Sequence, residues 1–196
     1  MRKALTHLKS ADPVLGGIIE RLGASRMAHR PATFDALAHS IINQQLSGKA
    51  AATIYGRLQA ALAPRDVEPR GILKLGAGKL RALGISAQKC SYLLDLAAKT
   101  RSKEVDFEKL PTLSDAAIVE QLTAIKGIGV WTVHMFLIFA LRRPDVLPSG
   151  DLGIQNAVQK AYGLESRPKP KQVEEIGAKW RPYASYAAWY LWRSLE

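Results

Sequence analysis

The chain has 196 residues, 47% of them hydrophobic, which is enough to bury one core or two small lobes and excludes an intrinsically disordered chain. Its single cysteine, Cys90, excludes an internal disulfide framework, a cysteine-based zinc site and a four-cysteine iron–sulfur cluster. The net charge of +11 is spread as +5 over residues 1–60, +4 over 61–110 and +2 over 111–196, and points to a polyanionic partner, nucleic acid before membrane.

The first ten residues, "MRKALTHLKS", carry charge but no following apolar stretch, so no signal peptide is read there. Asp12-Pro13 starts a helix, with Asp as N-cap and Pro at the first helical position, and Gly23 is expected to close it in the left-handed conformation. Thr33 opens a second helix with Phe34, Leu37, Ile41 and Ile42 on one face. It runs into "NQQLSGKAA", where Ser47 caps the next helix, carrying Ile54, Leu58 and Leu62. A loop over 64–69 precedes a helix near 72–83; "LGIS" at 83–86, with Lys89 downstream, reads as a second, looser hairpin with too little glycine to be diagnostic, and leads into another helix, on which Cys90 shares helical spacing with Leu93, Leu94 and Ala97 as a small core residue. Ser114 starts a helix bearing Ile118, Val119, Leu122 and Ile125, and a further helix spans about 131–141. Its apolar run from Val130 to Leu141 contains His134 and is too short to span a bilayer. Asp151 begins a helix that Gly163 ends, "ESRPKPK" is a proline-broken linker, and two last helices flank Arg181-Pro182. No stretch alternates as a strand does, so the fold class is all-α, with about ten helices, and the protein is expected to be soluble and cytoplasmic.

The segment "AIKGIGVWTV" at 124–133 is a helix–hairpin–helix pattern. Glycines allow positive φ and strip Cβ atoms from the turn, leaving backbone N–H groups beside a helix N-terminus, where a phosphate binds without side-chain charge. Lys126 would add attraction, and Ile128, between the glycines, can point back to lock the two helices. The same residues also suit an ordinary αα-hairpin with a glycine cap.

Downstream, Pro148, Ser149 and Gly150 cannot comfortably continue a helix, which places Asp151 at the next helix's first turn. A plain N-cap needs no function, and the helix dipole favours its negative charge. Beside a phosphate-binding turn such a charge should repel DNA, unless positive charge develops nearby during a reaction. Cleavage of an N-glycosidic bond creates such a charge, an oxocarbenium-like sugar.

The stretch "LTAIKGIGVWTVHMFLIFALRRPDVLPSGDLGIQ" resembles the hairpin, Gly/Pro loop and aspartate of the helix–hairpin–helix DNA glycosylases, most of all their 3-methyladenine DNA glycosylase II branch. "IINQQLSGKAA" is similar to that family's DNA-inserting segment and "AKWRPYASYAAWYLW" to its closing aromatic helix. The resemblance covers most of residues 30–195 in the expected order, and the chain looks too short to hold the branch's N-terminal mixed α/β lobe.

It implies two helical lobes with a DNA- and base-binding cleft between them. One lobe spans about 30–150, including the hairpin at 114–141; the other combines a helix at 12–23 with the helices of 151–196. It implies that Asp151 is the catalytic carboxylate and that Trp131, Trp192 and, near it, His134 belong to the base pocket. Trp131 also suits a core anchor at a helix start, and His134 a satisfied core histidine. Gln45 aligns with the inserting side chain, with Leu46 as the apolar alternative and Gln44 beside them; Leu46 also suits a core place and the glutamines helix caps. Tyr186 and Trp189 share the last helix and suit inter-helix packing.

Lys126, Gly127, Gly129 and Val130 would form the phosphate-binding hairpin. The resemblance requires no cofactor, but it implies that the carbonyls of Thr123, Ile125 and Ile128 can hold a Na+ or K+ ion. Bifunctional relatives carry a lysine nucleophile two residues after the second glycine, where this chain has Trp131, so hydrolysis without strand cleavage is expected. The implied activity is release of alkylated bases such as 3-methyladenine and 7-methylguanine, whose positive charge suits an aromatic pocket. Double-stranded DNA with damaged bases is the expected partner, without membrane, for a monomer. A non-catalytic DNA-binding module and a glycosylase for deaminated or oxidised bases are the competing readings.

Overall fold

The computed structural model describes residues 2–24 and 27–196, and among them no strand occurs. The helices run in chain order α1 (Arg2–Ala11), α2 (Pro13–Leu22), α3 (Phe34–Asn43), α4 (Gly48–Leu62), α5 (Pro69–Ala82) and α6 (Ala87–Arg101). After a short 3-10 turn at Leu110–Thr112 come α7 (Asp115–Thr123), α8 (Val130–Phe139), α9 (Leu152–Tyr162), α10 (Pro170–Gly177) and α11 (Ala184–Arg193), with a second 3-10 turn at Ala178–Trp180. No helix among the described residues is long and apolar enough to cross a membrane.

Local capping chemistry sets most helix starts. Thr33, Ser47, Ser114 and Asp151 each accept a backbone N–H from the first turn of the helix they open. Gly163 takes the expected left-handed conformation after α9. Gly23 differs: its φ of 72° is positive but its ψ of −151° lies outside the left-handed helical region, although its N–H still reaches Ile19 O. Two helices exceed the sequence-based expectation. The helix α1 has no capping signal in the sequence and is held by burial of Ala4 and Leu8, one turn apart. The helix α5 starts three residues earlier than expected, at Pro69, and Gly76 breaks its helical backbone with φ 64°.

The chain forms two compact units, residues 30–136 and residues 1–29 with 137–196. In the first, α6 packs against α5 and α3 over a core that includes Leu37, Ile41, Leu58, Ile72, Leu80 and Leu93. In the second, α2, α9 and α11 pack around Leu15, Ile19, Ile154, Val158, Trp180 and Tyr190. Burying such side chains supplies about 1.5–3 kcal/mol each. The boundary falls at residue 137, whereas the sequence suggested about 150. The reason is that the loop after α8 is bonded to α11. Ser185 donates its N–H to Pro144 O (3.0 Å) and its hydroxyl to Arg143 O (2.6 Å), while Val146 N–H donates to Ser185 Oγ (2.9 Å).

Candidate functional site

In the unit of 1–29 and 137–196, the focus is Asp151. It is the N-cap of α9, and its Oδ1 accepts both the Ile154 N–H (2.8 Å) and the Trp192 indole Nε1–H (2.8 Å). Phe139 stacks on Trp192, with ring centroids 5.9 Å apart and an interplanar angle of 29°. Gly153 leaves room for this pair, since a Cβ there would sit 3.0 Å from Asp151 Oδ1 and 3.0 Å from Trp192 Cδ1. Behind the cap, the buried Gln155 donates to Ser149 O (3.1 Å), and Ser149 Oγ donates to Glu174 (2.8 Å). The carboxylate is therefore held by a helix end, an indole and a fixed loop, while staying partly exposed. Tyr186 and Trp189, on the same helix as Trp192, are half-buried against this unit's core.

In the unit of 30–136, α7 and α8 form the hairpin. Ile125 and Ile128 are buried, and Ile128 N–H donates to Ile125 O (3.1 Å), so the isoleucine between the glycines does point inward. The two glycines differ. Gly127 has φ 76°, and a Cβ on it would lie 2.1 Å from the Tyr92 ring, so no other residue fits. Gly129 does not have positive φ, and a Cβ on it would meet nothing within 4 Å. Its bareness therefore matters only to what approaches from outside. The Lys126 N–H is already used by Asp95 Oδ2 (2.9 Å). Among the described residues the N–H groups of Gly127, Gly129 and Val130 donate to no protein acceptor, as an anion site requires.

Trp131 is 51% exposed and Val130 49%, so neither is a core anchor. His134, half-buried in α8, has its pKa lowered by burial, with Asp115 partly opposing the shift. It stays neutral near pH 7.

The turn between α3 and α4 carries the three residues expected to insert into DNA. Leu46 N–H donates to Asn43 O (3.2 Å), and Gln44 has φ −51° and ψ 129°. Gln45 follows with φ 55°, a type II turn in which its position ordinarily favours glycine. Gln45 and Leu46 are exposed, which removes the core reading of Leu46. Gln44 instead reaches the hairpin: its side-chain amide donates to Gly127 O (2.8 Å). Lys89, on α6, donates to Ile42 O (2.8 Å) and Gln44 O at the end of α3.

The residues that sequence reasoning missed are Gly153, Gln155, Tyr92 and Asp95, together with the partners of Lys89. The turn "LGIS" marked the neighbourhood of Lys89, but the carbonyls it caps lie some 45 residues away. Among the described residues no group of three or more His, Cys, Asp or Glu side chains could hold a metal ion.

Known proteins resemble the chain over nearly its whole length. The chain is 33% identical over 199 residues to DNA-3-methyladenine glycosylase 1 of Schizosaccharomyces pombe, covering 99% of this chain and 87% of that one. Its structure is similar to the crystal structure of a DNA-3-methyladenine glycosidase from Bacillus halodurans, with a TM-score of 0.90, 34% identity, and 97% and 88% of the two chains covered. It is also similar to the S. pombe 3-methyladenine DNA glycosylase in complex with abasic DNA, with a TM-score of 0.84, 33% identity, and 98% and 96% covered. Residues 38–182 match the family model for the HhH-GPD superfamily base excision DNA repair protein, so the chain belongs to the HhH-GPD superfamily.

Proposed function

We propose that this protein is a DNA glycosylase that hydrolyses the N-glycosidic bond of alkylated bases in duplex DNA. The observation that carries the reading is Asp151: a carboxylate fixed by the α9 N-terminus and the Trp192 indole, on an aromatic surface, in a chain of this superfamily. Full-length likeness to 3-methyladenine glycosylases at 33–34% identity supports alkylated bases as the substrate class.

The hairpin N–H groups of Gly127, Gly129 and Val130, helped by Lys126, grip a phosphate. Gln45 and Leu46 enter the stack and fill the gap left by the extruded nucleotide. Trp192, which bonds to Asp151, offers a π-face to the extracted base, whose positive charge strengthens the contact; the resemblance gives Trp131 and His134 to base recognition as well. The C1′–N bond then breaks and its electron pair leaves with the base, which a cationic alkylpurine accepts by becoming neutral. Asp151 stabilises the cationic sugar and takes a proton from the water that attacks C1′. Because position 131 holds Trp where a lyase would need Lys, no Schiff base forms and the abasic strand stays intact. The carbonyls of Thr123, Ile125 and Ile128 are neutral oxygen donors at one turn, a set that fits Na+ or K+ and not a transition metal. Such an ion would add positive charge for the phosphate.

The test measures free-base release from methylated duplex DNA by wild type and Asp151→Asn. Release by the wild type and loss in the variant, with DNA binding kept, is the expected result. No release of any alkylated base by the wild type sinks the reading. A non-catalytic binder would instead bind DNA more tightly as Asp151→Asn.

A further inference from the structure

One face of α6 touches both of the turns assigned to DNA. Lys89, Tyr92 and Asp95 recur every three residues and so share a side of the helix. Lys89 Nζ caps the end of α3 through Ile42 O (2.8 Å) and Gln44 O, where a cation also suits the helix dipole. The Tyr92 ring lies where a Cβ of Gly127 would be, and Gln88 Nε2 donates to its hydroxyl (2.6 Å). Asp95 accepts the Lys126 N–H (2.9 Å). Gln44 closes the triangle by bonding directly to Gly127 O (2.8 Å). Each turn thus has its outer groups exposed and its inner groups tied to the same helix.

We propose that Lys89, Tyr92 and Asp95, together with Gln44, form a rigid spacer that holds the insertion turn at a fixed distance from the phosphate-gripping hairpin. They are positioning residues for nucleotide extraction, and none of them touches the reacting atoms. The inference rests on the glycosylase reading. With the spacer intact, grip on the backbone at the hairpin fixes where Gln45 and Leu46 enter the stack. With it loosened, the protein still binds DNA but inserts out of register, and a displacement of about 1 Å is enough to cost a reaction about a hundredfold.

The experiment uses the full chain as Gln44→Ala, Lys89→Met and Lys89→Arg, with thermal unfolding measured for each. Three further readouts are taken: affinity for undamaged duplex, fluorescence of a 2-aminopurine beside the lesion, and single-turnover base release. Gln44→Ala and Lys89→Met should keep duplex affinity within about threefold, and both should lose the fluorescence rise of extrusion. Base release should fall tenfold or more from paired duplex, and much less from a lesion placed in a bulge, where the base is already unstacked. Lys89→Arg, which restores a donor to the same carbonyls, should recover most of the loss. Wild-type release with unchanged extrusion in Gln44→Ala and Lys89→Met overturns the spacer. Equal loss on paired and bulged lesions also overturns it, since that is general damage to the fold. A wild type that releases no base fails the glycosylase reading instead, and is told apart from both.

Discussion

Two aspartates in the unit of 1–29 and 137–196 begin from the same local chemistry and end in different roles. Asp12 caps α2 and Asp151 caps α9, and each accepts a tryptophan indole N–H, from Trp180 at 2.7 Å and from Trp192 at 2.8 Å. Asp12 is fully buried and also accepts the Tyr162 hydroxyl, while Lys179 lies 3.3 Å away to match its charge. Asp151 keeps access to solvent and sits on the Phe139–Trp192 stack. A cap with an indole is thus only a way of fixing a carboxylate. Burial and a balancing cation make it a structural tie, whereas a partly exposed place on an aromatic surface leaves it open to the chemistry proposed for it.

The widest separation of the two comes from removing each charge. Asp151→Asn should lower base release about a thousandfold, while Asn still caps α9 and the melting temperature moves by only a few degrees. Asp12→Ala should do the reverse. It leaves the Trp180 N–H and the Tyr162 hydroxyl without their acceptor and removes a cap, a loss of about 3 kcal/mol, or about 10 °C in thermal unfolding. Activity per folded molecule should stay near wild type at low temperature. Loss of chemistry in folded Asp12→Ala would collapse the comparison.

Acid sharpens the same contrast. Burial alone would raise the Asp12 pKa, but hydrogen bonds from Trp180, Tyr162 and the Leu15 N–H, with the Lys179 charge, outweigh it and hold the group below its ordinary value. A depressed folded pKa contributes stability that is present above the unfolded value and is lost as pH falls through the folded one. Denaturant titrations should therefore show wild-type stability falling below about pH 4. Asp12→Asn, weaker at neutral pH, should show less of that fall.

How much of this was legible in sequence depended on how far apart the partners lie. Thr33, Ser47, Ser114, Asp151 and Gly163 were readable as caps because capping is decided within a few residues. The tie around Asp12 was not, since Tyr162 and Trp180 are 150 and 168 residues away. Asp12 read simply as a helix start, and α1, held by packing and by long-range ties such as Lys9 to Glu20, did not read at all. At the site, the hairpin motif and the aspartate were visible because each is a local pattern. The engagement of Gln44 was hidden, because Gly127 lies 83 residues downstream.

The two hairpin glycines repeat the aspartate contrast at smaller scale. Gly127→Ala forces a Cβ toward Tyr92 at positive φ and should cost about 2–3 kcal/mol, read in denaturant unfolding. Replacing Tyr92 by Ala in the same chain should return part of it. Gly129→Ala meets nothing in the protein, so stability should hold while duplex affinity drops about tenfold and depends less steeply on salt. Equal stability losses at both positions would mean that Gly129, like Gly127, serves the fold.

Gln45 should give the smallest effect on stability and the clearest sign. Its φ of 55° costs a side chain about 1 kcal/mol that glycine does not incur, offset in part by the greater backbone entropy that glycine loses on folding. Gln45→Gly should therefore leave the melting temperature unchanged or raise it by up to about 3 °C. Base release from paired duplex should nevertheless fall, because the exposed side chain proposed to enter the stack is gone. A fold residue such as Asp12 loses stability when it is changed; a residue held in strain for its exposed side chain does not. If Gln45→Gly melted well below wild type, the turn would be holding the fold together, and Leu46 would be left as the residue that enters the DNA.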